Sequence, residues 1–183
     1  MTNILITGSA GSIGFYLSKD LLNKKGYKII GIDNFNDYYD VNLKKKRKKI
    51  LKKFKNYKFF KIDINNKIKL KKIFQKYKID FVFHFAAQAG VRYSIDFPRK
   101  YIESNIVGFY NIIENVQKYK IKRLFYASSS SVYGENNNFP INEREIASPK
   151  NIYGLSKKVN EEISFIFNKF YKVKLTGLRF FTI

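Results

Sequence analysis

An α/β fold, a doubly wound and mostly parallel (Rossmann) sheet with helices on both faces, is predicted by three observations. Short apolar runs of strand character alternate with segments of helical spacing along the whole chain. The first run opens directly into the glycine-rich stretch TGSAGSIG. Six strand-like runs follow one another, enough to fill one such sheet, and no repeat or low-complexity linker divides residues 1–183 into smaller units.

Residues 3–7 (NILIT) are the first predicted strand, and residues 13–25 carry helical spacing through Ile13, Leu17, Leu21 and Leu22. Residues 28–32 (KIIGI) are the second strand, ending at Asp33. A very basic helix is predicted over 41–55, with Val41, Leu43, Ile50, Leu51 and Phe54 as its apolar positions. A strand at 58–62, a helix at 67–77 and a strand at 80–85 (DFVFHF) follow. A longer helix over 99–118 leads to a strand at 122–127 (KRLFYA), which enters the serine run 128–131. A loop with Pro140 and Pro149 precedes a helix over 151–171 and a last strand at 173–181. The chain stops at Ile183 with no terminating helix or polar tail, so the expectation is a fragment of a longer protein.

Composition excludes several function classes. The chain has 183 residues, 45% hydrophobic and 17% aromatic, enough for a buried core and too apolar for wholesale disorder. It has no cysteine, which removes disulfides, thiolate metal sites and cysteine nucleophiles. A single histidine removes multi-histidine sites, and no metal is expected. No apolar run approaches the ~20 residues of a membrane span, and no signal peptide precedes the first strand; a soluble, cytoplasmic protein with no membrane partner is expected.

The net charge of +22 invites a nucleic-acid reading. Its distribution argues otherwise: 17 basic residues against one acid, Asp63, fall between Lys44 and Lys78, and 30 of the 36 basic residues are lysines. Arginine is the residue of bidentate base recognition, so no specific nucleic-acid partner is expected. The lysines read as solvated helix faces with a weak, salt-sensitive affinity for polyanions.

Gly8, Gly11 and Gly14 lie between the first strand and its helix with G-x-x-G-x-x-G spacing. Glycines there permit a tight turn, close approach to a pyrophosphate and close helix packing, and the helix start offers N–H groups to the phosphates. Asp33, 25 residues after Gly8, can accept hydrogen bonds from both ribose hydroxyls and would repel a 2′-phosphate, which favours NAD over NADP. Asp63, after the third strand, can meet the adenine edge or serve as a turn carboxylate. The lone His84 reads as a packed residue, and Ala86 and Ala87 suit close approach of a flat cofactor.

Tyr153 and Lys157 are four apart at the start of the last helix, on one face. A free phenol titrates near 10, too high for a base at neutral pH, and an ammonium close by stabilises the phenolate. Tyr153 can then take a hydroxyl proton as hydride leaves the same carbon, with Ser129 at the preceding strand end holding the substrate oxygen.

TGSAGSIG, Asp33–Asn34, HFAAQAGVR, SNIVGFYNIIE, YASSSSVYG, YGLSK and LRFFT together resemble the extended short-chain dehydrogenase/reductases that modify nucleotide sugars. Within that family the chain is most similar to the UDP-glucuronate 4-epimerases, through DNFNDYYDVNLK and AAQAGVRYSIDFPRKYIESN. The resemblance implies Ser129, Tyr153 and Lys157 as catalytic residues. It implies NAD held by Gly8, Gly11, Ser12, Ile13, Gly14, Asp33, Asn34, Asp63, Ile64, Ala86, Ala87, Gln88 and Asn105, together with Tyr153 and Lys157. Arg92, Ser129, Ser130 and Thr182 fall at its substrate-side positions. Ser12 departs from the bulky residue usual before Ile-Gly. Sugar 4,6-dehydratases carry an Asp–Glu pair where this chain has Ser130 and Ser131, so what the resemblance implies is C4 epimerisation through a transient 4-keto sugar. A UDP-sugar substrate, UDP-glucuronate first, follows. The resemblance also implies a substrate lobe after the sixth strand, expected to be missing from this chain, and a homodimer. The apolar stripes Ile106, Phe109, Ile113, Val116 and Ile152, Leu155, Val159, Ile163, Phe167 either face the sheet or belong to the helix bundle of that dimer. Another epimerase or keto-sugar reductase of the family, an inactive NAD-binding fragment and a basic polyanion-binding module are the alternatives.

Overall fold

The computed structural model describes residues 1–135 and 139–181. Its six strands are β1 (Thr2–Thr7), β2 (Tyr27–Asp33), β3 (Tyr57–Lys61), β4 (Phe81–His84), β5 (Arg123–Ser129) and β6 (Leu175–Phe180). They form one parallel sheet in the order β3-β2-β1-β4-β5-β6. The winding reverses between β1 and β4, where loops leave the strand ends in opposite directions and open a crevice. In register, Thr7 lies opposite Ile32 on one side and His84 on the other, so β1, β2 and β4 finish nearly level at that crevice.

Helices α1 (Ser12–Asn23) and α2 (Val41–Leu51) cover one face; α3 (Lys67–Lys76), α6 (Gly108–Lys118) and α7 (Ile152–Tyr171) cover the other. The short α4 (Tyr93–Asp96) and α5 (Pro98–Tyr101) lie at the crevice. Alternate strand residues point to opposite faces. Leu5, Ile30 and Val82 meet Phe74, Phe109 and Ile113 on one side, while Ile4, Ile6 and Ile29 meet Phe15, Leu22 and Leu51 on the other. Each such side chain contributes about 1.5–3 kcal/mol by leaving water.

Two expectations are corrected, and the apolar stripes are placed. The helix predicted over 41–55 ends at Leu51, because tight turns from Lys53 N–H to Ile50 O and Phe54 N–H to Leu51 O swing the chain into β3. The helix predicted over 99–118 is not regular: a π-helical run, Ile102–Val107, separates α5 from α6. Of the two apolar stripes, Phe109, Ile113 and Val116 are core residues facing the sheet, and Ile163 and Phe167 pack against the same core, which is the first of the two readings. Leu155 of those stripes is exposed, as are Val107, Tyr110, Phe165, Ile166 and Phe170 on or beside the same helices. Among the described residues no helix is long and apolar enough to cross a membrane, and no cluster of three His, Asp or Glu could hold a metal ion.

Candidate active site

Gly8 sits at φ +67°, and a Cβ there would stand 2.8 Å from the Ala86 nitrogen. A Cβ on Gly14 would stand 2.3 Å from the Gly8 oxygen. The turn is thus pressed against the end of β4 on one side and the first turn of α1 on the other, and Gly11 N–H closes it on Gly8 O at 2.9 Å. No side chain caps α1, whose N-cap is Gly11, so the helix start at Ser12 and Ile13 keeps free N–H groups for an anion.

Beside this turn lies a cavity of about 320 Å³ whose walls include Gly8, Gly11, Asp33, Asn34, Asp63 and Ile64, with Ala86, Ala87 and Gln88 closing it. Asp33 is buried; its Oδ2 accepts from Ala10 N–H at 3.1 Å and its Oδ1 from Phe35 N–H at 2.9 Å. Two backbone amides therefore fix the carboxylate, and each oxygen keeps a lone pair for a hydroxyl. Asp63 accepts from Asn65 N–H and from Asn34 Nδ2, both at 2.8 Å, so it is a turn carboxylate and a cavity wall at once.

The loop 86–90 joins this cavity to α7. Asn105, buried in the π-helical run, accepts Gln88 N–H at 2.7 Å and donates to Gln88 O and to Ser156 Oγ, each at 3.0 Å. Ser156 in turn donates to Tyr153 O at 2.7 Å. The Tyr101 hydroxyl reaches Ala89 O and Gly90 O at 2.7 and 2.6 Å, and its ring meets Tyr153 edge-on with centroids 6.1 Å apart. A residue inserted as a π-turn re-aims side chains, and here it turns Asn105 into the loop.

His84 lies beneath the same loop. Thr7 Oγ1 accepts Ala86 N–H at 3.1 Å and shares a hydrogen bond with His84 Nδ1 at 2.7 Å. Burial first, then the nearby charge of Lys157, pushes His84 down to about 3, which keeps the ring neutral and packed.

On α7, Lys157 is buried and donates to Ala127 O at 2.8 Å, with its Nζ 5.9 Å from the centre of the Tyr153 ring. Desolvation pulls the ammonium down to about 8. Ser129 is buried at the end of β5, where its Oγ accepts Ser131 N–H at 3.1 Å. One turn beyond Lys157, Glu161 accepts Ser128 Oγ at 2.5 Å and a two-pronged contact from Arg179 at 3.0 and 2.8 Å. Burial raises the Glu161 carboxyl, and these hydrogen bonds more than reverse it. Tyr153, Lys157 and Glu161 form one stripe at i, i+4 and i+8, and Lys157 and Glu161 fasten α7 to the end of β5.

The sequence reading missed Tyr101, Glu161, Arg179 and Lys44 as parts of this region. Helical spacing from Lys157 could have found Glu161; its pairing with Arg179 appears only once α7 and β6 are side by side. Ser129, Tyr153 and Lys157 lie beyond the cavity walls; Tyr153 is joined to them through Asn105, Ser156 and Tyr101. Ser130 lies in the 3-10 turn Ser130–Val132, Arg92 is exposed at the start of α4, and Thr182 lies outside the described residues.

A glycine turn at the switch point, followed by a Ser–Tyr–Lys set on the fifth strand and its helix, defines an extended short-chain dehydrogenase/reductase. Residues 5–182 match the family described as GDP-mannose 4,6 dehydratase, and the chain belongs to that family. It is 40% identical over 179 residues to UDP-glucuronate 4-epimerase of Thermodesulfobacterium geofontis, covering 98% of this chain and 55% of that protein. It is 42% identical over 182 residues to UDP-glucuronate 4-epimerase 4 of Arabidopsis thaliana, covering 98% of this chain and 41% of that one. The structure of UDP-glucuronic acid 4-epimerase from Bacillus cereus, in complex with UDP-glucuronic acid and NAD, superposes with a TM-score of 0.90 at 33% identity, over 97% of this chain and 56% of that one. The chain spans about half the length of the curated relatives it matches.

Proposed function

We propose that the chain is the cofactor-binding and proton-handling part of a NAD-dependent UDP-sugar 4-epimerase, with UDP-glucuronate as the sugar nucleotide. The observation that carries the reading is the fastening of Tyr153, through Asn105, Ser156 and Tyr101, to the loop that walls the glycine-turn cavity, with Lys157 one turn on along the same helix face. The residues present fit a dinucleotide: glycines where a side chain would collide, free N–H groups at the start of α1, and a fixed carboxylate at Asp33. Gly8, Gly11 and the α1 start would hold its pyrophosphate and Asp33 its ribose, with Asp63 and Ile64 at the adenine end and Ala86 and Ala87 deeper in the crevice. Bound there, the nicotinamide supplies reversible hydride transfer.

Tyr153 takes the proton from the sugar hydroxyl and later returns it, Lys157 supplies the positive charge beneath the phenol, and Ser129 holds the substrate oxygen. Ser130 and Ser131 offer no carboxyl for water elimination, which separates this chemistry from the dehydration in the family's description. UDP-glucuronate is favoured by the relatives named for it. Arg92 is the candidate partner for the sugar carboxylate. The exposed Val107 and Tyr110 beside Leu155, Ile166 and Phe170 offer an apolar face on which two copies pair as a homodimer.

The test is conversion of UDP-glucuronate to its C4 epimer, followed by chromatography, in the chain and in Tyr153→Phe. Loss of conversion by about 10²–10⁴-fold with NAD affinity unchanged supports the assignment; equal turnover in both refutes it. A second reading, dinucleotide binding without turnover, is favoured by the half-length match to the relatives. NAD binding with no conversion by either protein selects it.

A further inference from the structure

Of the 17 basic residues between Lys44 and Lys78, only Lys44 is buried, with 4% of its surface exposed. Its position is costly twice over. It stands in the first turns of α2, near the helix end that repels cations, and burial holds its ammonium below the usual lysine range. Helix formation and solubility are served by the exposed lysines beside it and need no lysine here.

The side chain lines the same cavity as Gly8, Gly11 and Asp33. Its ammonium donates to Asn36 O at 2.8 Å and to Asn36 Oδ1, and it lies 4.3 Å from the centre of the Tyr39 ring. The Tyr39 hydroxyl comes within 3.7 Å of where a Cβ on Gly11 would stand, so Tyr39 bridges Lys44 to the glycine turn. Asp33 and Asp37 attract the ammonium and Arg47 opposes it, but among the described residues the ammonium donates to neither carboxylate. An ammonium has three N–H bonds, and among the described residues the third finds no hydrogen-bond acceptor. Asp33 and Asp37 attract the cation without bonding it; a neutral ribose or adenine adds no charge to that balance, whereas an anion at the glycine turn adds both charge and an acceptor.

We infer that Lys44 is a phosphate-contacting residue of the dinucleotide site, its free N–H serving the pyrophosphate while its other two hold Asn36 and the 34–40 loop against the cavity. The inference rests on the dinucleotide reading above. It is tested by calorimetric titration of the chain and of Lys44→Met with NAD, ADP-ribose and adenosine. The expected result is a loss of about 10- to 100-fold for NAD and ADP-ribose, which carry the pyrophosphate, and a change within about two-fold for adenosine, which does not. Lys44→Arg should recover part of the loss. A second readout is salt: NAD affinity should fall less steeply with ionic strength in Lys44→Met than in the unaltered chain. Equal losses for all three ligands, or identical salt slopes, overturn the phosphate contact and leave Lys44 as a fastener of the loop. Failure of the unaltered chain to bind any of the three would instead sink the dinucleotide reading.

Discussion

Replacing Lys157 by methionine should stabilise the fold at neutral pH. The unfolded chain titrates this lysine at 10.5, whereas burial lowers it to about 8 in the folded chain. At about 1.4 kcal/mol per unit, that difference amounts to roughly 3 kcal/mol of disfavoured charge burial. The hydrogen bond to Ala127 O offsets about 1–2 kcal/mol. Methionine keeps the apolar stem and removes both contributions, so Lys157→Met should gain about 1–2 kcal/mol at neutral pH, or roughly 2–6 °C in melting temperature. The sign changes with pH. Below about 8 the folded chain carries the full penalty. Between 8 and 10.5 the unfolded state binds one more proton than the folded state, so stability of the unaltered chain rises through that window by the same ~3 kcal/mol. Urea unfolding of both proteins at neutral pH and at 10.5 measures the double difference, in which the titration of every other group cancels. The variant should be the more stable at neutral pH and the less stable at the alkaline end. A stability gap that does not move with pH would refute the assignment of a buried, charge-penalised lysine.

Three further outcomes follow from the same geometry. Gly8→Ala, forced to φ +67° with its Cβ 2.8 Å from the Ala86 nitrogen, should cost about 2–4 kcal/mol in urea unfolding. Asn105→Ala leaves the buried Gln88 N–H without its acceptor; a loss of about 2–3 kcal/mol and faster hydrogen exchange at Gln88 are expected. Asp33→Ser should weaken NAD binding by about 10- to 100-fold in calorimetry and narrow the preference over NADP, because it removes the ribose acceptor and the charge that repels a 2′-phosphate.

What the sequence reveals is what short segments encode. The glycine turn, Asp33 and Asp63 were legible because each sits where an apolar run ends, and a parallel sheet gathers such ends on one side. Lys44 was not legible: within a run of lysines, nothing in residue type marks the one whose helix face turns inward. Helical spacing also left Phe109, Ile113 and Val116 open, since a stripe shows that a face is buried without saying against what. The Glu161–Arg179 pair joins residues 18 apart, and Tyr101 reaches Ala89 and Gly90 across a loop; both need the tertiary fold before they can be seen.

The π-helical run also makes the chain sensitive to length at one place. Deleting one residue from 102–107 would let the backbone close into ordinary α-helix with α5 and α6 keeping their faces, because the wider turn is what absorbs the extra residue, while side chains within the run would be re-aimed. Loss of Asn105 itself would leave Gln88 and Ser156 without their partner, while helix content and hydrophobicity hardly changed. A frame-preserving deletion of the Asn105 codon would cut the tie between loop and helix while leaving the elements on either side in place.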